Sequence, residues 1–212
     1  MQPCWQDVSI PISPQMTNWP GDPVFVFSPV CRMSEGASCN VSEITMSTHT
    51  GTHCDAPWHF AENGAQIDQV NTSLFFGEAL IIDLPDIGLI KSSHLPGEQL
   101  PERVLFKTKN SFLPVDGSFD SNFAALDVSA AMRLVEEGVK LVGIDYLSIS
   151  PYGNSTPVHK TLLEAGILII EGLRLADVKA GIHEFIVLPL PLTGADGAPC
   201  RAFIRSQTQI KE

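Results

Sequence analysis

The stretch "STHTGTHCDAPWHF", residues 47–60, places His49, His53, Asp55 and His59 within eleven positions of a chain that has six histidines in all. Imidazole and carboxylate are the usual protein ligands of Zn²⁺, Mn²⁺ and Fe²⁺. They also serve as acids and bases near neutral pH. Three readings are therefore open here: a divalent-metal site, a metal-free catalytic cluster, or a polar loop with solvated histidines.

Spacing narrows the choice. His49 and His53 are four apart, the separation that shares one face of a helix. Gly51 between them, Thr48, Thr50 and Thr52 around them, and Pro57 beyond all oppose a helix. In an extended segment the odd positions 49, 53, 55 and 59 point one way and Cys54 and Trp58 the other. One side then presents imidazole, imidazole, carboxylate, imidazole, which favours a metal over a solvated loop. A Ser-His-Asp hydrolase needs a nucleophile, usually on a G-x-S-x-G turn, and the chain has none. Cys54 as nucleophile has the parity against it and no basic neighbour to lower its pKa.

The second half offers fewer candidates. Glu171 follows "ILII" and so ends an expected strand, where α/β proteins gather ligands; the alternative is a solvated strand-end carboxylate. His159 is expected to open a short helix, either as a ligand or as a surface histidine. Asp145 ends "LVGID" and either orients a ligand histidine or caps a turn. Asp22 reads as a turn residue in "WPGDP", and His94 and His183 read as solvated.

The elements that must position these groups change character along the chain. "QDVSI" (6–10), "VFVFSPV" (24–30), "NVSEITMS" (40–47) and "ALIIDL" (79–84) read as strands. From residue 103 strands and helices alternate. "RVLFKT" (103–108), "LVGID" (141–145), "ILIIEGL" (167–173) and "HEFIVLPLP" (183–191) are the strands. "DVSAAMRLVEEG" (127–138) is a helix with Asp127 as N-cap and Gly138 as its stop, and "HKTLLEAG" (159–166) is a shorter one. The expected fold is α/β, with a mixed sheet, a β-rich first half and a βαβ-like second half.

Composition bounds the rest. The 212 residues suit one domain over 1–212, and 44% hydrophobic with 17% charged residues supports a packed core. A net charge of −11 excludes a nucleic-acid partner, which needs clustered Lys and Arg. No apolar stretch approaches the roughly 18 residues of a membrane span. The opening "MQPCWQDVSI" does not read as a signal peptide. Five cysteines without a CxxC argue against a disulfide framework or a cysteine zinc site, which fits a cytoplasmic protein with reduced thiols.

The motif "HTGTHCDAP" followed by "WHF" resembles the H-x-G-T-H-x-D-x-P-x-H signature of the cyclase-type metal-dependent hydrolases. "WPGDP" (19–23), "GIDYLSISP" (143–151), "HKTLLEAGILIIEGL" (159–173) and "GADGAPCRAFI" (194–204) are similar to further stretches of that family, so the resemblance covers essentially the whole chain. Within the family the sequence looks most like the bacterial kynurenine formamidases. The resemblance implies a swivelling β/β/α domain. It implies His49, His53, Asp55, His159 and Glu171 as metal ligands, with Asp55 and Glu171 able to bridge. It makes His59 the acid–base group, and Trp19, Trp58 and Phe60 residues that touch substrate. The implied cofactor is a divalent metal, two zinc ions or one manganese. The implied activity is hydrolysis of N-formyl-L-kynurenine, a small-molecule amide, by a homodimer or homotetramer. Isatin or another cyclic amide or lactone is the alternative substrate. A non-catalytic metal-binding domain is the alternative outside enzymology, and would show closed coordination.

Overall fold

A computed structural model describes residues 4–206; the first three residues of the opening segment read above lie outside them. The strands in chain order are β1 (Gln6–Asp7), β2 (Val26–Cys31), β3 (Val41–Thr45), β4 (His53–Asp55), β5 (Phe76–Leu84), β6 (Leu89–Ile90), β7 (Arg103–Thr108), β8 (Ala125–Leu126), β9 (Leu141–Ile144), β10 (Leu168–Glu171), β11 (Gly181–Pro189) and β12 (Gly197–Ser206). Two α-helices, α1 (Val128–Glu136) and α2 (Thr156–Glu164), join them.

Eight strands form one mixed sheet in the order β1-β12-β11-β5-β7-β9-β10-β4. Its centre, β5-β7-β9-β10, is parallel; the alternation of strands and helices predicts this for β7-β9-β10, between which α1 and α2 cross, and β5 adds a further parallel neighbour. β4 pairs antiparallel with both β10 and β12, and so closes the sheet on itself. The fold is thus the mixed α/β class expected. The strands β2 and β3 pair as a separate ribbon that leaves Val26, Phe27, Val30, Val41 and Ile44 exposed.

Side-chain alternation divides the core in two. Val104 and Phe106 on β7, Val142 and Ile144 on β9 and Ile169 on β10 face α1 and α2, against Ala130, Ala131, Leu134, Leu162 and Leu163. Leu105, Leu141, Leu168 and Ile170 face the other way, against Ile81, Phe185 and Val187. Both faces are covered, which is why these strands read as unbroken apolar runs. Asp127 caps α1 by accepting from Ala130 N at 3.0 Å.

Two expectations are corrected. The second helix begins at Thr156, with Pro157 in its first turn, so His159 lies in the body of α2 and does not open it. His183 is buried, with Nε2 donating to Lys179 O at 2.8 Å, because β11 runs between β5 and β12. No helix among the described residues is long and apolar enough to cross a membrane.

Candidate metal centre

Strand register builds the centre. On β10 Glu171 lies directly opposite His53, and Ile169 opposite Asp55. Cross-strand partners point to the same side, so His53 and Glu171 face each other and Asp55 joins them from two positions along β4. Their distances follow: His53 Nε2 is 3.3 Å from Asp55 Oδ1 and 3.3 Å from Glu171 Oε2. The extended parity expected for 49, 53, 55 and 59 holds only for the pair on β4. His49 arrives from a turn before the strand, and His59 from a 3-10 turn, Pro57–His59, after it. His49 Nδ1 nevertheless reaches Asp55 Oδ1 at 2.8 Å. From α2, His159 Nε2 comes within 3.2 Å of Glu171 Oε1 and 3.7 Å of Asp55 Oδ2.

The close approach of these segments depends on a glycine. Gly172 follows Glu171 with φ +73°, and a Cβ there would lie 2.5 Å from Gly51 O. Only glycine allows β10 to end against the loop that carries His49. Thr52 Oγ1 donates to Gly172 O at 2.6 Å and ties the two segments together.

Each inner histidine is held at both nitrogens. One nitrogen faces the Asp55/Glu171 carboxylates. The other meets an outer acceptor: Gly51 O at 3.0 Å from His53 Nδ1, Ser155 O at 2.9 Å from His159 Nδ1, and Asp196 Oδ2 at 2.9 Å from His49 Nε2. An outer partner of this kind fixes the tautomer and turns the opposite nitrogen toward a metal.

The electrostatics call for a cation. Asp55 and Glu171 are both buried, 1% and 3% exposed, side by side. Burial opposes the charged form of His49, but the Asp55 and Asp196 carboxylates outweigh it and raise its pKa to about 10. Burial likewise opposes charge on His53, and hydrogen bonds to Asp55 and Glu171 raise it to about 9. Burial alone would raise Asp55, yet His49 and His53 hold it well below the usual carboxylate range. Without a metal, imidazolium protons balance the carboxylates.

The donor set fits a divalent ion. Asp55 Oδ2 is buried and has no hydrogen-bond partner, a vacancy that costs ~1–3 kcal/mol unless something is bound there. Asp55 also belongs to two groups whose ligand atoms lie within 4.8 Å of one another, His53/Asp55/Glu171 and His49/Asp55/His59.

The centre opens into a cleft of about 400 Å³, within the range of small-molecule sites. Trp19 and Phe60 line it. Trp19 packs edge-on against Phe119 and Tyr152, and Phe60 stacks on His159 with ring centroids 4.6 Å apart. Trp58 does not line it and is 40% exposed, because the 3-10 turn rotates it outward. Asp22 sits in its turn and also reaches the cleft wall. Cys54 lies in the core and burial pushes its thiol up, so it is no nucleophile. Asp145 touches no inner histidine. It accepts from Thr108 N and Oγ1 and from Ser111 N and Oγ at 2.6–3.0 Å, and so caps a turn.

The sequence reading missed Asp196 as a site residue. Its signal was present: a lone carboxylate between small residues in "GADGAP", just ahead of a strand.

Fold and cluster together define a class, a hydrolytic α/β enzyme that works with a divalent metal. The chain belongs to the putative cyclase family, whose model matches residues 6–151. It is 38% identical over 201 residues to the kynurenine formamidase of Erythrobacter litoralis, covering 94% of this chain and 92% of that one. A solved structure described as a potential metal-dependent hydrolase with cyclase activity matches with a TM-score of 0.83 at 34% identity, over 97% of this chain and 99% of that one. Isatin hydrolase A of Labrenzia aggregata shares the fold, with a TM-score of 0.81 at 20% identity over 97% and 94% of the two chains.

Proposed function

We propose that this enzyme hydrolyses N-formyl-L-kynurenine to L-kynurenine and formate. The observation that carries the reading is the convergence of His49, His53, Asp55, His159 and Glu171 from two distant parts of the chain beneath an open cleft. The similarity to kynurenine formamidases along nearly the whole chain supplies the substrate. We assign the five residues as those that would hold the divalent metal, two zinc ions or, as the alternative, manganese, with Asp55 and Glu171 the carboxylates at their centre. The cleft argues against a closed, purely structural site.

A bound divalent ion supplies Lewis acidity and acidifies water from 15.7 to about 7. The chain does the rest. Trp19 and Phe60 flank the cleft and offer aromatic faces to an aryl amide. His59 Nδ1 faces Asp196 at 3.4 Å, which leaves Nε2 to exchange a proton with the substrate. His59 Nε2 takes a proton from water as water's oxygen bonds to the formyl carbon, and returns that proton to the aryl nitrogen as the C–N bond breaks, which releases the amine and formic acid, the latter ionising to formate. The exposed apolar side chains of the β2–β3 ribbon support self-association, the same face meeting a second copy.

The test is an assay on N-formyl-L-kynurenine beside isatin, with His59→Ala as the diagnostic variant. The variant should keep its metal and lose roughly 10²-fold or more in kcat. Loss of metal from His59→Ala would make it a ligand, and preference for isatin would replace the substrate assignment.

A further inference from the structure

Asp196 lies on the turn that feeds β12, a third segment of chain beyond the two that supply the inner ligands. Its place is fixed from several sides. Ala56 N donates to Asp196 O at 2.9 Å. The next residue, Gly197, is opposite Asp55 in the β12–β4 register. A Cβ at Gly197 would lie 2.6 Å from Cys54 O and 3.0 Å from His49 Cε1, so the turn is packed directly against the centre. The carboxylate then reaches two ways. Oδ1 accepts from Thr48 Oγ1 at 3.0 Å. Oδ2 lies 2.9 Å from His49 Nε2 and 3.4 Å from His59 Nδ1.

That arrangement sets His49 apart. The outer nitrogen of His53 meets a neutral backbone carbonyl, and that of His159 meets the Ser155 carbonyl and the Ser150 hydroxyl, also neutral. The outer nitrogen of His49 meets a carboxylate, and the same oxygen faces His59. The two rings lie tilted against each other with centroids 4.0 Å apart.

We propose that Asp196 is a positioning residue that couples the metal ligand His49 to the proton carrier His59. By accepting from His49 Nε2–H it turns Nδ1 toward Asp55 and the metal. By facing His59 Nδ1–H it presents Nε2 of that ring to the substrate. One carboxylate thus sets the geometry of a ligand and of the acid–base group together. The inference rests on the roles assigned above to His49 and His59.

The experiment measures Zn²⁺ affinity by chelator competition, and kcat and KM at saturating Zn²⁺, for wild type, Asp196→Ala and Asp196→Asn. Asp196→Ala should weaken Zn²⁺ binding by roughly 10- to 100-fold, the range typical of lost outer-sphere partners. At saturating metal it should lower kcat about tenfold or more while KM stays within about threefold, since Asp196 acts through the two rings. Asp196→Asn keeps an oxygen acceptor and should recover most of the Zn²⁺ affinity. Wild-type Zn²⁺ affinity and kcat in Asp196→Ala overturns the inference, whatever the melting temperature does. So does an Asn variant no better than Ala. If the wild-type chain holds neither Zn²⁺ nor Mn²⁺, the metal reading itself fails and this inference with it, a result distinct from an indifferent Asp196→Ala.

Discussion

Metal binding at this centre must expel protons, and the pH dependence of affinity measures how many. In the metal-free protein His49 titrates at about 10 and His53 at about 9, against 6.5 for a free imidazole. Both are charged at pH 7.5. A metal accepts only the neutral ring, so each ligation releases a proton. These two histidines alone set a release of about two protons per protein at pH 7.5, and His159, which the Glu171 and Asp55 carboxylates raise against burial, adds to it, so the logarithm of the apparent affinity rises with pH at a slope of about two or more. Lowering the pH from 8.5 to 7.5 should therefore weaken binding by at least about 10²-fold, or ~2.7 kcal/mol. The slope falls off above pH 9 as His53 loses its proton, and again above 10. The sign for folding is the reverse. Both folded pKa values lie above the unfolded one, so these imidazoliums stabilise the metal-free chain fully below pH 6.5. That contribution is lost as pH rises through about 9 to 10. Calorimetric titration with Zn²⁺ in buffers of different ionisation enthalpy reads the proton count directly. A release below one proton, or an affinity flat between pH 7 and 8.5, would refute the reasoning, because the two rings would not both be ligands.

Two substitutions probe the frame around the centre. Asp145→Ala removes the acceptor of four hydrogen bonds from a site 4% exposed, and should cost about 2–4 kcal/mol, a fall in Tm of roughly 5–15 °C, with Zn²⁺ affinity kept within a few-fold. A melt within 2 °C of wild type would show the cap to be dispensable. Gly197→Ala places a methyl against the Cys54 carbonyl and the His49 ring. It should destabilise by about 1–3 kcal/mol and weaken Zn²⁺ binding as well, and unchanged values in both titration and melt would contradict the packing.

Local pattern carried much of this molecule. The strand "RVLFKT" coincides with β7, Asp127 caps α1, and Glu171 ends β10, because β-branched runs, capping side chains and strand ends are written in adjacent residues. What the sequence concealed depends on pairing between distant segments. The strand β12 was not read, since Pro199, Arg201 and Arg205 interrupt its apolar alternation. Its place is set by β1, β11 and β4, which flank it in the sheet. With β12 unread, Asp196 had no visible reason to meet His49. His183 sits in a polar local context, and only the neighbouring strands bury it. Trp58 was expected at the substrate because it adjoins His59 in sequence, but the turn sends the two side chains apart.

The central claim is that imidazoles and carboxylates from residues 49–55 and 159–171 enclose a divalent cation. An anomalous difference map at the absorption edge of the metal, from crystals of metal-replete protein, tests it most directly. The account predicts its strongest peaks among His53 Nε2, the Asp55 carboxylate and Glu171. Peaks confined to other parts of the surface, with that cluster empty, would contradict it.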